Sequence, residues 1–172
     1  MSERLISDNT EFQLGEFGRP NILRCNGDTL RWNAGNGYKT LYLLAASADR
    51  DRTAEFRISD RVIHRSVPYY SGIFGQWGGF EQQFRGYVRD AEIAWVGTHR
   101  HTRNGNEPYT FTHMYRIAVP LQENDDYVVL PQDKNLIIFA ATLSEAETDQ
   151  TVPAAEFRRL SIRTANNVFT TR

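Results

Sequence analysis

Five turn signals recur at short intervals along the 172 residues: Asn26-Gly27, Asn36-Gly37, Gly78-Gly79, Asn104-Gly105 and the step Pro131-Gln132-Asp133. Each supplies a residue that tolerates positive φ or fixes a bend, as chain reversals between strands require. Five reversals imply at least six strands, and the spacing suits strands rather than helices joined by loops. The chain reads as all-β.

The segments between the turns carry strand periodicity. Thr40 to Ser47, TLYLLAAS, is nearly continuous apolar sequence of strand length, the signature of a strand covered on both faces at the centre of a sheet. From Thr53 to Ile58 the pattern alternates, with Ala54, Phe56 and Ile58 on one face and Thr53, Glu55 and Arg57 on the other. That predicts a half-exposed strand paired to its predecessor across the polar turn Asp49 to Arg52.

Glu92 to His101 and Tyr109 to Val119 flank the Asn104-Gly105 turn as two longer strands, and Asn106-Glu107-Pro108-Tyr109 reads as a rigid loop whose proline sets the path of the second strand. Tyr127 to Leu130 then leads through the Pro131 turn to Leu136 to Leu143, a second buried strand. Helical periodicity is weak throughout. Its best stretch, Ser144 to Phe157, contains Pro153 and an acidic cluster and reads as a loop. The expected architecture is one antiparallel β-sandwich, jelly-roll-like, with a core over about residues 10–143 and an acidic loop and C-terminal extension over 144–172.

Bulk properties narrow the function. Hydrophobic residues make up 40% and charged residues 24%, a globular composition with room for one core. A net charge of -1 gives no pull toward nucleic acid or an anionic membrane, so neither is expected as a partner. Cys25 stands alone, which excludes an intrachain disulfide, a CxxC redox pair and a multi-cysteine zinc site. The N-terminal MSERLISDNTEF lacks the apolar core of a signal peptide and no apolar run reaches the roughly 18 residues needed to span a bilayer, so a cytoplasmic chain is expected. Phosphate-cradling GxGxxG and GxxxxGK[ST] loops and a GxSxG elbow are absent, leaving nucleotide-dependent and serine-hydrolase chemistry without support.

Chemistry-bearing residues concentrate between Trp95 and Tyr115, where three of the four histidines lie. His99 and His101, two apart on a strand, project to the same side, and His113 could come alongside from the partner strand. Three neutral imidazoles can hold zinc with an open position for water, which makes a small metalloenzyme one reading; ordinary hydrogen bonds on a polar sheet face are the other. Glu107, with Asp90 and Glu92, offers carboxylates, but the sequence shows no pair set across a scissile bond as a glycosidase needs. Between Pro68 and Phe84, Tyr69, Tyr70, Phe74, Trp77, Phe80 and Phe84 stand among glycines. They can fill a sandwich core or stack on the apolar face of a sugar ring, and Trp77, beside Gly78-Gly79, is the one expected to be exposed.

Four segments, Leu41 to Asp49 (LYLLAASAD), Ser71 to Trp77 (SGIFGQW), Ile93 to Tyr109 (IAWVGTHRHTRNGNEPY) and Val129 to Ala141 (VLPQDKNLIIFAA), together resemble the C-terminal region of the α-mannosidases of glycoside hydrolase family 38. The resemblance spans roughly residues 20–143 and departs from the family pattern at Gly78-Gly79, where an aspartate usually follows the tryptophan. It implies an ancillary β-sandwich that follows and braces a catalytic domain, is not catalytic alone, and carries no cofactor of its own. The catalytic aspartate and zinc of that family belong to an α/β domain with no match in this sequence. The implied partners are that domain and mannose-containing glycans. His99, Arg100, His101, Asn106, Glu107 and Tyr109, with Trp77, Tyr69 and Tyr70, are then the expected contacts to carbohydrate or to the neighbouring domain, and an autonomous carbohydrate-binding module using Trp77, Tyr69 and Tyr70 is the alternative.

Overall fold

In a computed structural model, the structure describes residues 2–16, 18–76, 87–89 and 91–147. Among these residues there are thirteen strands: β1 (Ser2–Ser7), β2 (Thr10–Glu16), β3 (Leu23–Arg24), β4 (Thr29–Arg31), β5 (Thr40–Ser47), β6 (Arg52–Ile58), β7 (Arg61–Val67), β8 (Gly75–Gln76), β9 (Tyr87–Val88), β10 (Glu92–Thr102), β11 (Gly105–Pro120), β12 (Tyr127–Val129) and β13 (Leu136–Ser144). No helix among them is long and apolar enough to cross a membrane.

Two antiparallel sheets form a sandwich, one ordered β10-β11-β5-β13-β3 and the other β4-β12-β6-β7. Setting β8, β9 and β10 aside, the eight strands from β3 to β13 follow a jelly-roll order, first beside last and second beside next-to-last, with β6 and β7 paired in one sheet. Strand β10 is an added edge, tied to β11 by a long hairpin.

The uniform apolarity of TLYLLAAS follows from its place. β5 is central, its edges taken by β11 and β13, and all eight of its residues are buried. Leu41, Leu43 and Ala45 face the sandwich interior with Phe56, Ile58, Val119 and Val128, while Tyr42 and Leu44 face outward and pack with Phe12. Phe12 belongs to the β1–β2 hairpin, which covers the outer face of the five-stranded sheet and begins ahead of the core start expected at residue 10. Its turn, Asp8-Asn9, takes positive φ at both residues, +44° and +60°, as a two-residue type I′ reversal needs.

Arg116 fastens this hairpin to the sheet. Its guanidinium is 2% exposed and donates to the Ser7 and Asp8 carbonyls, the Thr10 hydroxyl and the carboxylates of Asp8 and Glu92.

One expected pairing is overturned. β6 does not pair with β5 across Asp49 to Arg52; it pairs with β7 and β12, in the sheet opposite β5. Both edges of β5 are already occupied, so the turn crosses between sheets. The hydrogen bond from Arg52 holds the Asp49 carboxyl down at about 2, and Arg52 also reaches Asp133, tying the crossover to the β12–β13 turn. Asn106 to Tyr109 is likewise not a loop but part of β11. Gly78-Gly79 and nearly all of the 144–172 extension lie outside the described residues, as do Trp77, Phe80, Phe84 and Asp90.

Candidate functional site

Register explains the division of labour along the β10–β11 hairpin. Thr102 pairs with Gly105, so Arg103 and Asn104 bridge the strands and Gly105 takes the strained backbone, φ +117°. Residue pairs then run His101↔Asn106, Arg100↔Glu107 and His99↔Pro108. The next pair is Gly97↔Thr112, a step of two residues on β10 against four on β11. The extra length makes a bulge at Tyr109, whose φ of +62° is rare for a bulky side chain and leaves the ring 85% exposed. Pro108 is tolerated because β11 pairs with β5 only from Tyr115 onward, so this stretch is an edge.

Alternation sends the nominated residues to two faces. Arg100 and Glu107 share one: Arg100 Nε and Nη2 both donate to Glu107 Oε2, at 2.8 and 2.5 Å, and Nη1 lies 3.4 Å from the Tyr69 hydroxyl. Tyr69 and Tyr70 are held there by backbone bonds, Tyr70 N to Ser47 O and His113 N to Tyr70 O, and their rings meet edge to face. Neither glutamate nominated for acid–base work is free, since Glu107 is spent on Arg100 and Glu92 on Arg116.

His99, His101 and Asn106 share the other face in one hydrogen-bonded chain. Thr98 Oγ1 lies 3.2 Å from His99 Nδ1, His99 Nε2 lies 3.2 Å from His101 Nε2, and His101 Nδ1 lies 2.5 Å from Asn106 Oδ1. An amide oxygen only accepts, so His101 Nδ1 carries a proton and donates. With both rings neutral, His101 Nε2 accepts from His99 Nε2–H and His99 Nδ1 accepts from the Thr98 hydroxyl.

His113 does not join them. It pairs with Val96 and turns with Tyr115 toward the sandwich interior, where its ring packs near Phe74 and Tyr115. Burial first, then the charge of Arg89, pushes its proton affinity below the usual imidazole value, so the ring is neutral. The three-histidine zinc site is therefore not assembled, and among the described residues no group of three or more His, Cys, Asp or Glu could hold a metal. Cys25 is no nucleophile: burial and the nearby carboxylates of Asp28 and Asp133 push its thiol up to about 12.

Four of the eight exposed large hydrophobic side chains among the described residues are on this one hairpin: Trp95, Val96, Tyr109 and Phe111. Trp95 and Val96 are adjacent with no register shift between them, pairing with Met114 and His113, so their side chains leave opposite faces of edge strand β10 and both are exposed. The Trp95 ring lies back over Gly97, where a Cβ would sit 2.5 Å from it and 2.4 Å from Thr112 Oγ1. Two shallow clefts flank the hairpin, one of 560 Å³ beside Tyr70, Trp95, His99, Thr112 and Phe139, the other of 450 Å³ between His99, Asn106, Pro108, Tyr109 and Phe111. The sequence nominated the polar residues and Tyr109 but missed Trp95, Val96, Phe111 and Thr98. The adjacent Trp-Val pair was the signal available, because strict alternation cannot bury both.

No curated protein matches the chain at a significant level. A family model, that of the AziU2-like β-sandwich domain, matches residues 1–147, which includes every strand of both sheets and the whole β10–β11 hairpin. That match spans most of the sequence and agrees with the two-sheet architecture, and the chain belongs to the AziU2-like β-sandwich domain family.

Proposed function

We propose that this chain is a non-catalytic β-sandwich module that docks onto a catalytic domain through the overhanging part of the β10–β11 hairpin. The observation that carries the reading is the exposure of Trp95, Val96, Tyr109 and Phe111, 42–85%, on one hairpin that also carries the half-buried Arg100–Glu107 pair. Large aromatics with an arginine and a polar rim are what protein interfaces enrich, and isolated monomers rarely leave such groups together in water. The engagement of Glu92 and Glu107 in ion pairs supports a non-catalytic role. An α-mannosidase-like catalytic domain, carrying its own zinc, is the partner that the four resembling segments nominate; the matched family model does not bear on that identity, which rests on those segments alone.

Site-specific photo-crosslinking in the native cell tests the docking. A crosslinker in place of Tyr109 should capture a chain with a catalytic domain, while one in place of Val62, also an exposed apolar position but on β7, should not. Turnover by the captured enzyme should then fall when Trp95, Tyr109 and Phe111 are changed to Ser. Equal capture from both positions, or unchanged turnover, overturns the reading.

A second reading is favoured by the smaller cleft, where Tyr109, Phe111 and Pro108 stand beside His99 and Asn106. Rings there can stack on the C–H face of a mannose unit while the polar groups take its hydroxyls. Titration of mannose oligosaccharides, followed by intrinsic fluorescence in the wild type and in Tyr109→Ala, should give saturation only in the former. A flat response at millimolar sugar discards this reading.

A further inference from the structure

We propose that His99 and His101 form a two-histidine site for a late first-row divalent cation, copper(II) above all, on the open face of the β10–β11 hairpin. The site is independent of the docking reading and asks nothing of His113.

Three features of the pair converge. The first is distance. Two nitrogens that ligate one metal at about 2.0–2.1 Å with tetrahedral angles stand about 3.3 Å apart, and square geometry brings them to about 2.9 Å. The two Nε2 atoms are 3.2 Å apart, between these values, with the rings edge to face at 81°. The second is the engagement of the remaining ring nitrogens. Metal-binding imidazoles characteristically use their second nitrogen in a hydrogen bond that fixes ring and tautomer. Here Asn106 holds His101 Nδ1 and Thr98 holds His99 Nδ1, so both rings are fixed with their Nε2 atoms in contact. The third is access. His101 is exposed and His99 half-exposed, so water can complete the coordination of an incoming ion.

In the metal-free chain a single proton lies between the two nitrogens. When a cation takes its place, that same proton leaves His99 Nε2 and the ring is reprotonated at Nδ1 by exchange with solvent, the Thr98 hydroxyl becomes the acceptor of Nδ1–H, and His101 keeps its bond to Asn106. The His99 ring thus keeps one proton and no net charge is displaced from the protein. Imidazole nitrogen favours copper, nickel and zinc and gives little to magnesium or calcium, whose ligands are oxygens. With two protein ligands the site is open, and its selectivity follows intrinsic affinity, which peaks at copper.

Untagged protein titrated calorimetrically with copper, nickel, zinc and magnesium salts tests the assignment. One equivalent should bind, tightest for copper, with magnesium silent. His99→Ala and His101→Ala should each weaken copper by at least about ten-fold, and Asn106→Ala by about ten-fold through loss of ring orientation. His64→Ala, which removes the remaining exposed-strand histidine on β7, should leave binding unchanged, and all four variants should retain the wild-type melting temperature. In ¹⁵N-histidine spectra with diamagnetic zinc, both Nε2 resonances should shift together while His101 Nδ1 stays protonated. Binding unaffected by either single histidine variant, loss of binding in His64→Ala, or a shift confined to one ring overturns the proposal.

Discussion

β5 and the β10–β11 hairpin lie in the same sheet and both carry large apolar side chains, yet β5 is buried along its whole length while Tyr109 is 85% exposed. The difference lies in what surrounds them. β5 has a paired strand on each edge, the opposing sheet on one face and the β1–β2 hairpin on the other. Between Thr98 and Phe111 no other strand pairs with the hairpin, and Tyr69 reaches it at Arg100. Apolar sequence therefore marks a surface to be covered, and the topology decides whether this chain covers it.

Truncations should separate the two regions most sharply. Phe12→Ala and Phe56→Ala, both 0–1% exposed and on opposite sides of the five-stranded sheet's neighbours, should each lower stability by about 3–5 kcal/mol in chemical denaturation. Phe111→Ala should change it by less than about 0.5 kcal/mol. A large loss at Phe111 would mean that the overhang is part of the core.

Arg116 comes next. Arg116→Met keeps most of the stem over Tyr42 but leaves Asp8 and Glu92 without their shared cation, and the N-terminal hairpin without its clamp. Breaking a buried ion pair usually costs about 3–5 kcal/mol, and because both carboxylates reach water the loss should sit near the lower figure. Hydrogen exchange should accelerate in β1 and β2 first; uniform acceleration across both sheets would contradict the clamp.

His113 supplies a smaller effect with a defined sign. Its folded affinity for protons is depressed, so the unfolded chain takes up a proton first as pH falls below the ordinary imidazole value of about 6.5. Its contribution is complete above that pH and is lost below it, with a slope of at most about 1.4 kcal/mol per pH unit. His113→Gln should flatten the pH dependence of the midpoint between pH 6.5 and 5.

Tyr109→Gly should have the smallest effect on folding and sharpen the contrast most. Relief of the positive φ should offset the greater freedom of the unfolded chain, so stability should stay the same or rise by up to about 1 kcal/mol, while crosslinking and docking are lost. A clear destabilisation would show that the ring packs against the chain itself.

Much of this was legible in the residues. TLYLLAAS announced a central strand covered on two faces because no half-exposed strand tolerates eight consecutive low-polarity residues, and the Asn104-Gly105 signal located the hairpin because few other dipeptides accept its backbone. HxH placed His99 and His101 on one side. The partner of β6 was not legible, since a polar turn of four residues reads alike whether it returns along one sheet or crosses to the other. Nor was the exclusion of His113 from the histidine pair, which follows from its pairing with Val96, a β10 position on the opposite face from His99 and His101.

By itself, then, the sequence determined strand content, the hairpin and the grouping of polar residues along it, because these follow from backbone preferences and side-chain alternation, which are local. Only the tertiary structure decided which sheet each strand joined, which face of β5 met Phe12, and that two histidines rather than three converge. Those outcomes depend on strand pairing between distant segments and on the register it sets, and neither is encoded in the spacing of the residues themselves.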